Sequence, residues 1–149
     1  MANAPRILIV TSRYYAHIAS ELEASVVEGL EKVGATHEFL EVPGAFEIPG
    51  AIAMAASTGE WDGFVALGCV IRGETSHYDL ITNHVARGLM ELSISGVPLG
   101  FGVLTVENEE QAKVRADRKQ KNKGAEVVAA VLRMVGLSYR FNKMDDIEE

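Results

Sequence analysis

The sequence predicts an α/β domain of three layers, in which a four-stranded parallel sheet is flanked by helices on both faces. Three observations predict it. Four short apolar runs recur along the chain, longer segments of helical spacing lie between them, and glycines close those segments. Alternation of this kind favours parallel pairing, because each strand then needs a long crossover before the next can join it.

The first strand is expected at Arg6–Thr11, where Ile7, Leu8, Ile9 and Val10 form a run suited to burial on both faces. A helix should follow. Ile18, Leu22, Val26, Leu30 and Val33 recur at three to four residues as one sheet-facing stripe, and Gly34 supplies the stop. The second strand is expected at Thr36–Val42. Pro43-Gly44 then turns the chain, and Pro49 suits the first turn of the next helix, where no backbone N–H is needed. A third strand, Gly63–Ile71, precedes a helix with Ile81, Val85, Leu89 and Leu92 on one face and Gly96 beyond its end. The fourth strand is expected at Leu99–Thr105. Asn108, with Gln111 three residues on, has the form of a capping box and should open a short helix. The last helix carries Ala125, Val128, Ala129, Leu132 and Val135 on its buried face, with Gly136 as its stop. No repeat, low-complexity segment or linker divides the chain, so residues 1–149 read as a single domain whose residues 143–149 form an acidic, frayed tail.

With 21 acidic against 14 basic residues the net charge is −7, which disfavours general attraction to nucleic acid or anionic membrane. The charge is uneven. Lys113, Arg115, Arg118, Lys119, Lys121 and Lys123 cluster with only Asp117 among them. Such a stretch is ordinarily a solvated helix face. Where a phosphate must be held, Arg115 offers a planar fork and Lys123 a compact point charge. Apolar runs are too short for a membrane span or a signal-peptide core, and the single Cys69 cannot form an internal disulfide, so the expected compartment is the cytoplasm. Cys69 reads as a small buried apolar residue. His17, His37 and His84 have no evident ligand cluster, and no metal site is expected. Trp61 either packs at a subunit contact or covers the entrance to the third strand.

In open α/β sheets ligands bind beyond the carboxyl ends of the strands, so the loops after the strands are where chemistry should be sought. After the third strand comes Arg72-Gly73-Glu74-Thr75-Ser76-His77, a glycine turn leading into a helix. Free amides and the positive end of the helix dipole make a natural phosphate cradle there. The plainer reading is that Thr75 or Ser76 caps the helix. His77, in the first turn, adds a group able to exchange protons near neutral pH. In the second loop, Val42-Pro43-Gly44-Ala45-Phe46-Glu47-Ile48-Pro49, Phe46 can form an aromatic wall and Glu47 can accept from ligand hydroxyls; otherwise it is a tight strand-to-helix connection. Arg13-Tyr14-Tyr15 after the first strand can stack on a planar heterocycle or serve as ordinary surface aromatics. Neither a Walker glycine-lysine loop nor a G-x-G-x-x-G fingerprint is present, which speaks against a nucleotide-binding or signalling domain of similar alternation.

Five segments together resemble the lumazine synthase family. They are Ser12-Arg13-Tyr14, the second loop from Val42 to Pro49, Val70 to Asp79, Gly102 to Asn108, and Asn122 to Glu126, and they span nearly the whole chain in the family's order. The pairing of Pro43-Gly44-Ala45-Phe46-Glu47 with Arg72-Gly73-Glu74-Thr75-Ser76-His77 at this separation is the specific part of the match.

The resemblance implies a flavodoxin-like arrangement of the sheet and a transferase of riboflavin biosynthesis. It would condense 5-amino-6-ribitylaminouracil with 3,4-dihydroxy-2-butanone 4-phosphate to give 6,7-dimethyl-8-ribityllumazine, with no metal or organic cofactor. By the same resemblance His77 is the proton-transfer residue, and Tyr14 stacks on the pyrimidine where many members carry Phe. Ala45, Phe46 and Glu47 receive the ribityl chain and ring, while Cys69, Val70 and Ile71 present the strand end to the pyrimidine edge. Gly73, Glu74 and Thr75 form the phosphate turn, the Glu74 carboxylate pointing away. Phe101, Arg115 and Lys123 are supplied by the neighbouring subunit, Phe101 to the pyrimidine and the two cations to the phosphate. Partners are then the two small-molecule substrates, further copies of the chain, and riboflavin synthase of the same pathway. Shell-forming members carry a Gly-Thr-Lys-Ala-Gly-Asn turn where this chain has Asp117-Arg118-Lys119-Gln120-Lys121-Asn122, and they have a longer N-terminal segment. A pentamer or dimer of pentamers is therefore expected over an icosahedral shell. The alternative from another class is a non-catalytic relative that binds lumazine or flavin.

Overall fold

The structure is a computed structural model that describes residues 4–148, with side chains described as far as residue 142. Its elements run β1 (Arg6–Ser12), α1 (Ala16–Lys32), β2 (Thr36–Val42), a 3₁₀ turn (Ala45–Glu47), α2 (Ile48–Ala56), β3 (Gly63–Ile71), α3 (His77–Ile94), β4 (Leu99–Val106), α4 (Glu109–Ala116) and α5 (Lys123–Glu148). The sheet order is β2-β1-β3-β4 and every pair is parallel. This is the three-layer parallel arrangement expected from the alternation of apolar runs and helical segments, in the flavodoxin-like form that the resemblance implies. The first and last strands run one residue further than expected because Ser12 pairs with Val42, and Val106 with Ile71.

Residue parity divides the core. Ile7, Ile9, Val65 and Leu67 point to one face and pack on Ile18, Leu22, Val26 and Leu30 of α1 and on Val127, Val131 and Val135 of α5. Leu8, Val10, Phe64 and Ala66 point to the other and meet Ile48 and Ile52 of α2 and Val85 and Leu89 of α3. Fully burying one such side chain contributes about 1.5–3 kcal/mol, whereas an exposed ion pair contributes about 0.2–1 kcal/mol. The apolar layers hold the fold. Ile81 and Leu92 are partly buried against the second layer, so the α3 stripe lies where its spacing put it. No helix of the described residues is long and apolar enough to cross a membrane.

Three expectations are corrected. Val33 lies off the α1 stripe and is 56% exposed, because the helix ends at Lys32 and the chain turns at Gly34 with φ +74°. In α5 the expected Val128 and Val135 are buried and Leu132 is partly buried, but Val127 and Val131 join them in place of Ala125 and Ala129, which face outward. Gly136 does not stop that helix. Gly34 and Gly96 end theirs in the left-handed region, at +74° and +104°, but Gly136 keeps a negative φ. Beyond it, the Tyr139 hydroxyl donates to Asp62 Oδ1 at 2.6 Å, and Asp62 Oδ2 accepts from the Arg6 backbone at 2.8 Å. That bond raises the Tyr139 pKa to about 12 and ties α5 to the start of the sheet. The side chains of 143–149, where an acidic tail is expected, lie outside the described residues.

The capping at α4 is as anticipated. Asn108 Oδ1 accepts from the Gln111 backbone N–H at 2.9 Å, while the Gln111 side chain reaches back to the N–H of Glu107, one residue before the cap, at 2.8 Å. Trp61 is partly buried and meets Phe64 edge-on at 6.4 Å, covering the start of β3, and its buried indole N–H has no hydrogen-bond partner among the described residues.

The α5 backbone comes close to the sheet at Gly100, where an added Cβ would stand 2.7 Å from the carbonyl oxygen of Val127. A helix backbone cannot yield as a side chain can. Gly100→Ala is expected to lower stability by about 1–3 kcal/mol, read as a lower midpoint in thermal unfolding, with core overpacking as the cause. An unchanged midpoint would mean that α5 is free to move off β4.

Candidate active site

The direction in which strands are added reverses at β1: β2 lies on one side of β1, and β3 and β4 lie on the other, all parallel. Connections leave a crevice at such a point, beyond the carboxyl ends of the two strands. A cavity of about 440 Å³ opens there. Its lining comes from every loop the sequence singled out at that edge: Ser12, Tyr14 and Tyr15 after β1, Pro43 to Glu47 after β2, Cys69, Val70 and Ile71 at the end of β3, and His77 and Ile81 on α3.

The backbone explains how each side chain arrives. Gly44 is extended and the 3₁₀ turn follows at once, so Ala45 is buried under the cavity while Phe46 and Glu47 are thrown outward, Phe46 being 56% exposed. Pro49 stands in the first turn of α2, as its missing N–H allows. Tyr14 is 78% exposed and lies edge-on to Tyr15 with ring centres 5.0 Å apart. A flat face is thus open to a ligand. Arg13 takes no part in the cavity, because its guanidinium is bound to Glu23 and to Ser20 Oγ of α1, and Glu23 also accepts from Thr11 Oγ1 at 2.8 Å.

Cys69 is not fully buried, contrary to its reading as a core residue, and it lines the cavity instead. Burial pushes its thiol up to about 11, so at neutral pH it is an uncharged, weakly polar wall. Burial, and after it the neighbouring Cys69, also raises the pKa of Tyr15. The floor of the cavity is therefore neutral. Such a surface suits an uncharged heterocycle.

Between Ile71 and α3 runs the glycine turn, flanked by two residues that line the cavity, Ile71 and His77. Among the described residues, no acceptor meets the N–H of Gly73, Glu74, Thr75 or Ser76. Ser76 occupies the N-cap without a side-chain bond, and Thr75 Oγ1 accepts only from the His77 N–H, at 3.3 Å. The capping reading thus holds in part, and the remaining amides stay open to an anion. Gly73, Glu74 and Thr75 are all exposed, and none of them lines the cavity.

Phe101, Arg115 and Lys123 are not in this cavity. They line a second concavity of about 280 Å³ at the β4 edge, together with Thr105, Lys121 and Glu126. Arg115 is steadied by donating to the Gln111 carbonyl at 3.2 Å, and Lys123 stands 4.0 Å from Glu126. Three cations against one carboxylate make it an anion-favouring hollow. Within one chain the candidate residues therefore fall into two groups: aromatic residues with Glu47 and His77 at the switch point, and a cationic group on an outer edge.

Sequence reasoning missed Lys121, whose only signal was membership of the basic stretch. It also missed the Arg72 side chain. Arg72 Nε donates to Glu107 Oε2 at 2.7 Å, Nη1 reaches Asp79 Oδ1 at 3.5 Å, and its guanidinium lies 4.2 Å from the centre of the Tyr78 ring. The hydrogen bond that Arg72 donates to Glu107 raises its pKa above the ordinary value.

A family model described as 6,7-dimethyl-8-ribityllumazine synthase matches residues 4–138. Relatives bearing that same name include one from Sphingopyxis alaskensis, 49% identical over 91% of this chain and 96% of its own length. One from Erythrobacter litoralis is 50% identical over 91% and 97%, and one from Zymomonas mobilis is 47% identical over 92% and 99%. The matched span takes in both the switch-point cavity and the cationic hollow, and the chain belongs to the 6,7-dimethyl-8-ribityllumazine synthase family.

Proposed function

We propose that the chain condenses 5-amino-6-ribitylaminouracil with 3,4-dihydroxy-2-butanone 4-phosphate, releasing phosphate and water and forming 6,7-dimethyl-8-ribityllumazine. The observation that carries this reading is the meeting of Tyr14, Phe46, Glu47 and His77 around one neutral-floored cavity beside a turn of unpartnered amides. The pyrimidine would lie on Tyr14 with its polar edge toward the end of β3 at Cys69, Val70 and Ile71, while Glu47 accepts from ribityl hydroxyls. The turn at Gly73, Glu74 and Thr75 would take the phosphate. The pyrimidine amine attacks the ketone, and one water leaves as the imine forms. Phosphate is eliminated to leave an enol that becomes a carbonyl, and attack of the ribitylamino nitrogen on that carbonyl closes the ring and expels a second water. His77 serves as the acid and base in these steps, since it stands where the cavity meets the turn.

The cationic hollow completes the site from a neighbouring copy, which brings Phe101 over the pyrimidine and Arg115 and Lys123 to the phosphate. Exposed apolar side chains support such an assembly. Leu80, Met90 and Ile94 on α3 and Met54 on α2 are each more than half exposed, a pattern that marks a covered surface in the working protein. We take the assembly to be a pentamer or a dimer of pentamers, the whole of residues 1–149 to act as one domain, and the compartment to be the cytoplasm. Riboflavin synthase, which consumes the product, is the partner in the pathway.

Mixing the protein with both substrates and following the lumazine absorbance tests the reaction. His77→Ala is expected to slow turnover by about 10²–10⁴-fold while pyrimidine binding survives, because proton transfer contributes on that scale; turnover equal to wild type would remove His77 from the chemistry. Arg115→Ala should chiefly raise KM for the ketose phosphate, and a variant impaired only in pyrimidine binding would contradict its role. Light scattering should give the mass of a pentamer or decamer. A megadalton particle would refute that assembly.

A further inference from the structure

The glycine turn after β3 has few ties of its own. The Arg72 N–H donates to Val106 O at 2.9 Å and the Leu80 N–H to Ser76 O at 3.1 Å, but between them only the His77–Thr75 bond is made. What spans the gap is the Arg72 side chain. It joins Glu107, just past β4, to Asp79 and Tyr78 in the first turn of α3. Glu107 is itself held, since its N–H donates to the Gln111 side chain of the α4 cap.

From this we infer that Arg72 is a positioning residue, whose guanidinium clasps the turn between β4 and α3 and so fixes the Gly73–Thr75 amides and His77 relative to one another. The inference rests on the reading that this turn receives the ketose phosphate. Two alternatives are weaker. As an anion ligand Arg72 would need a free cation, yet its fork is already engaged by two carboxylates. As a global stabiliser it is poorly placed, because Arg72, Asp79 and Glu107 are 43%, 59% and 58% exposed and pairs in that setting contribute little to folding. Its effect is local. A planar group is suited to it, because one face lies on an aromatic ring while the edge reaches two acceptors, which a lysine cannot reproduce.

Steady-state kinetics with each substrate varied, together with titration of the pyrimidine alone, test the clasp in R72Q, E107Q and R72K. For R72Q we expect KM for the ketose phosphate to rise roughly fivefold and kcat to fall several-fold, with pyrimidine affinity kept within about twofold. E107Q should shift both constants in the same direction by less, and R72K should stay nearer R72Q than wild type. Three results would overturn the clasp: unchanged constants in R72Q, opposite shifts in R72Q and E107Q, or an equal loss of pyrimidine binding, which would report general damage to the fold. A wild-type protein that forms no product would refute the enzymatic reading instead. The clasp would then be judged by binding of inorganic phosphate, which R72Q should weaken, equal affinity counting against it.

Discussion

Parallel pairing brings the carboxyl ends of all four strands to one edge of the sheet, and the placing of β2 and β3 on opposite sides of β1 opens a crevice there that no crossover helix can fill. The switch-point cavity follows from that geometry. The loops after β1, β2 and β3 converge on the crevice because the sheet aims them at it, although they are far apart in sequence. The apolar layers on both faces hold the strands in register, so the position of His77 relative to Glu47 is set by the core and not by any contact between the two. Rigidity beneath the site comes from residues such as Ile48, Leu67 and Leu89, which never meet a ligand.

An acidic protein that must hold a phosphate has to concentrate its cations. With a net charge of −7 the overall field opposes the ligand, and at physiological salt that field fades within about 8 Å, so only nearby charges count. The basic stretch is sorted accordingly. Arg118 turns toward α1 and is engaged by Glu21 and Glu28, which pins the connection between α4 and α5. Asn122 ends that connection in the left-handed region at φ 46° and accepts from Ser25 Oγ at 2.5 Å. With the connection held at both ends, Arg115, Lys121 and Lys123 are presented together on the other side. The stretch is thus neither a uniformly solvated face nor a uniform anion site. One of its cations secures the backbone that presents three others.

Strands β1, β3 and β4 were legible because apolar runs with little polar interruption have few other uses. Strand β2, mostly exposed at the sheet edge and interrupted by His37, Glu38 and Glu41, was read from its Phe39, Leu40 and Val42. The α1 and α3 stripes were legible because Leu, Ile and Val recur there at helical spacing. The phase of α5 was not. Alanine fits a buried or an exposed position, so Ala125 and Ala129 gave no means of choosing between two neighbouring faces, and the valines at 127 and 131 decided it only through close contact with Gly100. Gly136 misled for a related reason: a glycine ends a helix only if the chain takes up positive φ, and the bond from Tyr139 to Asp62 acts across 77 residues that show no pattern. In the site, the loops announced themselves through residue types a core does not need. The division into two concavities did not, since a string of residues does not state which sheet edge each will reach. Arg72 was unreadable for a third reason. Its partner Glu107 lies 35 residues away, and one ion pair leaves no period.

The two concavities are less independent than their separation suggests. A continuous run of bonds leads from the first turn of α3 through Asp79, Arg72 and Glu107 to Gln111, and Gln111 also holds the start of α4 through Asn108. The carbonyl of that same Gln111 accepts from Arg115. One subunit therefore uses a single capping residue both to brace its own glycine turn and to steady a cation on its outer edge. If that edge serves a neighbouring copy, as the proposed assembly requires, then a shift of α4 would disturb two sites in different ways: the geometry of the amides in one and the reach of a guanidinium in the other. A helix of eight residues is short enough to move as a unit. The α4 cap, which lines neither concavity, is thus where the glycine turn of one and a cation of the other are tied together within the chain.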